Sequence, residues 1–270
     1  MNIASAPLRP IRPLATSPWL VRHGHATAPS RLRLYCFSYA GGSAGVYLPW
    51  RAALDPTVEL YAVQLPGRGM RMAEAPQRDL QSLLKLLAPV ITGEACGPFT
   101  FFGHSLGALL AFELTRYLAL RQLPLPVKLI VSGANAPQMR SPVEHLDEHD
   151  DDKMIERLSR YNGTPPEVLQ HRELMRLLAP AIRADFALAA DYVYRPSLAL
   201  DIPLTVFAGR ADDEISPEQV QAWQCETRGS FAQHWFEGDH FFIHSQRERV
   251  LAQLNAELSP GLLSSPKPTP

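Results

Sequence analysis

The chain has 270 residues, a length that accommodates one domain with a large buried core. Its 26 basic and 27 acidic residues leave a formal net charge of −1, which argues against a general electrostatic attraction to nucleic acid or to an anionic membrane surface. No apolar run reaches the roughly 18 to 20 residues that a membrane span needs, and three distant cysteines form no disulfide or thiolate metal pattern, so we expect a soluble protein of the reducing cytoplasm.

Proline marks both ends of the chain. Five of the 25 prolines fall in residues 1–30 and four in residues 260–270, a composition typical of poorly ordered tails. We therefore predict flexible tails over residues 1–17 and 259–270, around a single domain over residues 18–258.

From Arg31 onward, short β-type runs alternate with longer helical runs. This pattern predicts an α/β fold, with a mainly parallel central sheet flanked by helices. The predicted strands are Leu32–Ser38, Val58–Gln64, Phe99–Gly103, Val127–Ser132, Leu204–Ala208 and Ala232–Phe236. The predicted helices are Gln81–Ile91, Leu106–Leu120, Pro217–Thr227 and Ser245–Leu258.

The section from about Arg140 to Pro196 interrupts this alternation. It has no convincing strand, opens with an acidic stretch and continues as several short helical segments. An all-helical insertion between two strands is most simply a lid over one end of the sheet, and loops at the carboxyl ends of parallel strands are where such folds place their sites. We predict a helical lid over residues 140–196.

The segment Gly103-His104-Ser105-Leu106-Gly107 follows a predicted strand and leads directly into a predicted helix. This is the G-x-S-x-G nucleophile elbow in its strand–turn–helix context. The sharp turn strains the backbone of the serine, and side chains at the two glycine positions would collide with neighbouring elements. The turn also places the serine at a helix N-terminus, where unpaired N–H groups favour negative charge. The pattern predicts Ser105 as a nucleophile.

A serine nucleophile needs a general base and a group that orients the base. In this fold the order along the chain is serine, acid, histidine, and Asp212 and His240 follow two later strands in that order. Carboxyl ends of parallel strands share one sheet edge, so both side chains would meet Ser105. We assign His240 as general base and then general acid, and Asp212 as the carboxylate that fixes the imidazole tautomer. Asp213 is the alternative acid.

An oxyanion hole needs two backbone N–H donors, one of them from the residue after the nucleophile. That residue is Leu106. The second donor should come from the loop after the first long strand, where Ala40 precedes the pair Gly41-Gly42. The alternative is that these glycines form a simple turn; they lack the spacing of the phosphate-binding loops.

Other histidine-containing segments have simpler explanations. His104 is expected to pack beside the nucleophile, and His244 to lie at a helix start or behind the site. His23 stands in a segment similar to the nucleophile motif of histidine phosphatases, but the proline-rich residues before it cannot supply a central strand. Residues 145–149 fit the H-x-x-E-H pattern of inverted zinc proteases, but the stretch is crowded with acids, so we expect a solvated loop and no metal.

Four segments, in this order, resemble the type II thioesterases that accompany nonribosomal peptide and polyketide synthetases. They are Phe37-Ser38-Tyr39-Ala40-Gly41-Gly42, Gln64-Leu65-Pro66-Gly67-Arg68-Gly69, Phe102-Gly103-His104-Ser105-Leu106-Gly107-Ala108 and Gly238-Asp239-His240-Phe241-Phe242. The likeness runs from about residue 18 to 258. The Pro-Gly-Arg segment and the lid stretches 163–167 and 178–185 separate this family from generic lipases.

The resemblance implies an α/β-hydrolase with a helical lid. It implies a serine hydrolase that cleaves acyl or aminoacyl thioesters from the phosphopantetheine arm of carrier domains and so clears stalled synthetases. The matching positions carry over Ser105, Asp212 and His240 as the triad, with Ala40 and Leu106 as oxyanion donors. The expected partner is an acyl or peptidyl carrier domain, and we expect a cytoplasmic monomer without a cofactor of its own.

Two positions depart from the family pattern. Leu106 stands where methionine is usual, which leaves the backbone donor intact, and Asp239 stands where glycine is common. The Asp239 carboxylate either shifts the pKa of His240 or faces solvent. The alternative activity is a carboxylester hydrolase or an acyltransferase of the same fold, and the alternative from another class is a non-catalytic protein that binds a carrier domain.

Overall fold

The computed structural model describes residues 17–24, 30–93, 97–147, 150–161 and 163–259. The two predicted tails lie outside these ranges, except for their inner residues Ser17 and Ser259. Within the described ranges, no helix is long and apolar enough to cross a membrane.

Seven strands form the central sheet, in the spatial order β1-β3-β2-β4-β5-β6-β7. The strands are β1 Leu20–His23, β2 Leu32–Phe37, β3 Val58–Val63, β4 Phe99–His104, β5 Lys128–Ser132, β6 Leu204–Gly209 and β7 Phe231–Phe236. Strand β1 is antiparallel to β3, and every other neighbouring pair is parallel. The mainly parallel sheet is therefore confirmed, with the predicted strands placed to within about a residue.

Eight α-helices surround the sheet in the described ranges. They are α1 Leu80–Gly93, α2 Leu106–Leu120, α3 Asp151–Tyr161, α4 Pro166–Gln170, α5 Arg172–Ala190, α6 Pro217–Gln221, α7 Phe242–Ser245 and α8 Arg247–Glu257. Short 3-10 helices span Ala44–Trp50, Gly69–Arg71, Pro137–Met139 and Ala222–Glu226.

Both faces of the sheet are covered. Every residue of β2 to β6 is buried, as expected for parallel strands with helices on each side. Alternate strand residues enter different clusters: those such as Phe101 and Val131 pack with α1 and α2, whereas those such as Phe102 and Ile130 pack with α8. The carboxyl edge of the sheet is left for the loops that carry the site.

The structure corrects three details of the sequence-based elements. Strand β1 was not predicted, because a four-residue edge strand is held by backbone pairing and shows no hydrophobic alternation; prolines before it are tolerated at an edge. The predicted helix over 217–227 changes from α6 into a 3-10 helix at Ala222. The predicted helix over 245–258 starts only at Arg247, after the separate turn of α7.

Helices α3, α4 and α5 lie between β5 and β6 and make up the predicted lid. The described residues of the lid contain no strand. Helix α5, at 19 residues, is longer than the short helical segments predicted for the lid. The lid has a small apolar core of its own, formed by Met154, Leu158, Met175, Ala179, Ile182 and Phe186.

Candidate active site

Ser105 occupies a strained turn between β4 and α2. Its backbone angles are φ 56° and ψ −116°, in the region that side-chain-bearing residues rarely adopt. A Cβ atom on Gly103 would lie 2.1 Å from the carbonyl oxygen of Gly107, and one on Gly107 would lie 2.0 Å from that of Phe37. Both positions therefore require glycine, for the steric reason that the elbow motif predicts.

His240 and Asp212 form a buried pair at the same edge of the sheet. His240 Nδ1 lies 2.8 Å from Asp212 Oδ2, and Asp212 Oδ1 accepts a hydrogen bond of 3.1 Å from the backbone N–H of Glu214. Because an ionised carboxylate only accepts hydrogen bonds, the imidazole proton sits on Nδ1 and leaves Nε2 as a base. Asp213 is exposed, so the structure places Asp212 rather than its neighbour against the histidine.

Aromatic rings hold the His240 imidazole from several sides. The ring centroids of His104, Tyr161 and Phe241 lie 5.3, 5.6 and 5.3 Å from that of His240. Tyr161 is the last residue of α3, so the lid contacts the candidate base directly. Sequence reasoning missed this contact, since no local pattern relates Tyr161 to a loop almost eighty residues further along the chain.

The two candidate oxyanion donors line the same cavity as Ser105 and His240. Within the described part of the chain, neither the Ala40 nor the Leu106 amide donates a hydrogen bond to a protein acceptor. Leu106 is the first residue of α2, where backbone N–H groups have no partner inside the helix. Both amides are thus free to donate to a substrate oxygen.

The cavity lies between the sheet edge and the lid and opens to solvent. Its floor carries Ser105 and His240, and its lid wall includes Leu158, Tyr161 and Phe186. An apolar wall facing a few polar groups is the usual composition of a small-molecule site. The arrangement suits an acyl chain with its reactive carbonyl at the serine.

Three further histidines that the sequence analysis singled out have structural partners. His104 Nδ1 lies 2.9 Å from Ser132 Oγ, and burial, reinforced by the neighbouring His240, lowers the pKa of His104 well below its ordinary value, so its ring is neutral. His244 Nε2 lies 3.0 Å from the Tyr39 hydroxyl. His23 Nε2 lies 2.8 Å from the carbonyl oxygen of Ala44.

Asp239 caps its own turn, because its Oδ1 accepts a hydrogen bond of 2.9 Å from the backbone N–H of Phe241. In the ranges given above, no three His, Cys, Asp or Glu side chains are grouped so as to hold a metal ion. Of the zinc-like segment, His145 pairs with Asp191 at 3.0 Å, and residues 148 and 149 lie outside the described ranges.

Residues 32–258 match the family described as the thioesterase domain. The chain belongs to the thioesterase family. This thioesterase is 36% identical over 248 residues to the linear gramicidin dehydrogenase LgrE of Brevibacillus parabrevis, over 91% of this chain and 94% of the relative. It is 35% identical over 249 residues to the thioesterase PikA5 of Streptomyces venezuelae, over 92% and 88% of the two chains.

Among solved structures, the type II thioesterase BorB from the borrelidin biosynthetic cluster matches with a TM-score of 0.83 and 34% identity, over 92% of this thioesterase and 100% of BorB. The α/β-hydrolase fold and the resemblance to type II thioesterases are thereby confirmed, and the enzyme is a thioester hydrolase. The name of LgrE contains the word dehydrogenase. The Gly41-Gly42 turn of this chain lacks the G-x-G-x-x-G spacing of a dinucleotide-binding loop.

Proposed function

We propose that this thioesterase removes acyl or aminoacyl groups from the phosphopantetheine arm of carrier domains in nonribosomal peptide or polyketide biosynthesis. The observation that carries the catalytic part is the meeting of Ser105 in its strained elbow, the His240–Asp212 pair and two free amides in one lid-covered cavity. The names of LgrE and BorB, which refer to linear gramicidin and to a borrelidin biosynthetic cluster, support the pathway class.

In the proposed acylation step, Ser105 Oγ attacks the thioester carbonyl carbon and His240 Nε2 takes the hydroxyl proton. The charge that develops on the carbonyl oxygen is stabilised by the N–H groups of Ala40 and Leu106. The carbon–sulfur bond then breaks, and the proton on His240 goes to the departing thiolate. Asp212 stabilises the imidazolium that exists between the two proton transfers.

Deacylation repeats the sequence with water in place of the serine. The water oxygen attacks the acyl-enzyme carbonyl carbon while His240 Nε2 takes a proton from that water. When the ester bond breaks, His240 gives this proton to Ser105 Oγ. Each proton transfer and bond change uses only protein groups, substrate and water, so we propose no cofactor. The carrier domain would dock at the mouth of the cavity and insert its arm below α3.

We further propose that the enzyme works in the cytoplasm as a monomer. Cys36 is buried and Cys225 is exposed, and both are free thiols, which suits a reducing compartment.

The decisive experiment compares the parent enzyme with Ser105→Ala on a panel of carrier-bound acyl and aminoacyl thioesters of graded length. We expect the alanine variant to lose about 10⁶-fold in kcat with an unchanged circular dichroism spectrum. Ser159→Ala, an exposed serine on α3, is the matched control and should keep parental activity.

The same panel includes the free ester of each acyl group and an added alcohol acceptor. Preferred turnover of the free ester would identify a carboxylester hydrolase, and acyl transfer to the alcohol would identify an acyltransferase. A serine that a fluorophosphonate probe fails to label, in a protein that still binds carrier domains, would identify a non-catalytic binding protein.

A further inference from the structure

A buried ion pair joins the lid to the loop after β3. Arg68 Nη1 lies 2.5 Å from Asp185 Oδ2, and Arg68 Nη2 lies 2.7 Å from Asp185 Oδ1. Arg68 belongs to the Pro-Gly-Arg segment and Asp185 to α5, and both side chains are almost fully buried. The Pro-Gly-Arg segment and the lid stretch 178–185, which the proposed reaction leaves without a role, therefore contact each other through this ion pair.

The pair holds the Gly-Gly turn that follows Ala40. Asp185 Oδ2 accepts a hydrogen bond of 2.7 Å from the backbone N–H of Gly41, and Arg68 Nη1 donates one of 3.2 Å to the carbonyl oxygen of Gly42. A carboxylate only accepts hydrogen bonds and a guanidinium only donates them, so each side chain meets the backbone group that suits it. The turn is bound at two successive residues.

These bonds determine where the Ala40 amide points. The N–H of Ala40 and the carbonyl of Tyr39 share one planar trans peptide unit, in which they point in opposite directions. The Tyr39 carbonyl accepts a hydrogen bond of 2.9 Å from the Gly42 N–H inside the turn, so the Ala40 N–H points away from the turn. Fixing Gly41 and Gly42 therefore fixes the candidate oxyanion donor.

Helix α5 also contacts this turn through an apolar side chain. Gly41 has φ +76°, and a Cβ atom there would lie 3.2 Å from Ile182 Cγ1, one turn before Asp185 on the same helix. Ala40 itself packs against both the sheet core and the lid core. Helix α5 thus forms one side of the oxyanion loop.

The charge of the pair matters as well as its geometry. Asp185 lines the active-site cavity, and an unpaired carboxylate there would oppose the negative charge that develops on the substrate oxygen. The bidentate contact with Arg68 neutralises that carboxylate while leaving Oδ2 able to accept from Gly41.

We propose that Asp185 and Arg68 are positioning residues for the reaction, which act through the Gly41-Gly42 turn to aim the Ala40 N–H at the substrate oxygen. Because they act through Ala40, this role rests on the proposed function. It makes α5 a fixed part of the catalytic apparatus.

Two double variants isolate the hydrogen bond to Gly41. R68M/D185N removes both charges and keeps a side-chain oxygen that accepts from the Gly41 N–H, whereas R68M/D185L removes the charges and the acceptor at nearly the same volume. Replacing both members of a buried ion pair by neutral groups is often tolerated by the fold. The readout is kcat and KM for a soluble acyl-N-acetylcysteamine thioester, together with the thermal midpoint and the pH profile of kcat.

We expect kcat of R68M/D185L to be about 10-fold to 100-fold below that of R68M/D185N, with KM within about twofold and the same pH profile, because the His240–Asp212 pair is untouched. The control is K128M/E257L, which removes an equally buried ion pair away from the site and should leave kcat unchanged. Equal kcat values for the two Arg68/Asp185 double variants would overturn the positioning role of Asp185, and a kcat of R68M/D185N equal to that of the parent would overturn that of Arg68.

If the leucine variant does not fold, the single variants Asp185→Ala and Asp185→Asn make the same comparison at Gly41. The alanine variant should then have the lower kcat, and equality again contradicts the role. A parent enzyme that hydrolyses no thioester would instead refute the proposed function, so the two failures are distinguishable.

Discussion

A buried ion pair lies at each end of the strands of the central sheet, one at the carboxyl edge and one at the amino edge. The two pairs are closely matched in distance and burial. At the carboxyl edge, Arg68 and Asp185 approach to 2.5 Å with side chains 5% and 1% exposed. At the amino edge, Lys128 at the start of β5 and Glu257 at the end of α8 approach to 2.5 Å with side chains 5% and 6% exposed. Because distance and burial are matched, a difference in their effects reflects the chemistry of each pair and the other groups that it contacts.

The other partners of the two pairs differ in kind. Glu257 accepts a hydrogen bond from the Thr205 hydroxyl at 3.0 Å and contacts His234 Nε2 at 2.8 Å. The Lys128–Glu257 pair therefore connects α8 to the three neighbouring strands β5, β6 and β7. The Arg68–Asp185 pair instead binds backbone groups of the Gly41-Gly42 turn. The same interaction thus stabilises the fold at one edge and shapes the site at the other.

After the loss of the nucleophile in Ser105→Ala, the largest effect on kcat is expected from Asp212→Asn at the carboxyl edge. The amide would donate to His240 Nδ1 and force the imidazole proton onto Nε2, where it blocks proton abstraction from Ser105, so kcat should fall by about 10⁴-fold. Steady-state kinetics with a carrier-bound thioester and a thermal melt measure the two consequences. Exposed Asp213→Asn is the matched control, and a comparable loss of kcat in that variant would contradict the assignment of Asp212.

Lys128→Met at the amino edge is expected to lower stability and to leave kcat unchanged. Removal of one member of a buried pair leaves an uncompensated charge, so the free energy of unfolding should fall by about 3 to 5 kcal/mol. Turnover per folded molecule should stay at the parental value, since no part of the site is touched. Urea unfolding and active-site titration test this, with exposed Lys85→Met as control; a fall in kcat of the folded variant would remove the distinction between the two edges.

The smallest effect concerns acid stability. Burial alone would raise the pKa of Glu257, but hydrogen bonds from His234 and Lys128 outweigh it and lower the pKa from 4.5 to about 2. A lowered pKa in the folded state stabilises the fold above pH 4.5, and this contribution is lost as the pH falls from about 4.5 to about 2.

Glu257→Gln should therefore be less stable than the parent at neutral pH, and the difference in urea midpoint should narrow between pH 4.5 and pH 2. Exposed Glu237→Gln provides the comparison, and its urea midpoint at neutral pH should stay close to that of the parent, because an exposed ion pair contributes little to stability. A difference that stays constant down to pH 2 would mean that Glu257 does not titrate as the structure indicates.

The predictable part of the fold consists of features that depend on neighbouring residues. Strands β2 to β7 are apparent as short apolar runs, and the elbow follows from two glycines that leave no room for a side chain. Strand β1 was missed because its backbone pairing with β3 leaves no hydrophobic pattern. The helical lid was predicted, but the length of α5 was not.

The amino-acid sequence by itself determined the order of the elements from β2 onward, the elbow at Ser105 and the family, because steric fit and order along the chain can be read from the residues themselves. Only the tertiary structure shows that the carboxylate of Asp212, and not that of its exposed neighbour, lies against His240, since the sequence allows their loop to turn either one inwards. Arg68 and Asp185 stand 117 residues apart, and no periodicity relates them. Their contact exists because the lid returns to the edge of the sheet, where a buried carboxylate needs both a cation and a donor.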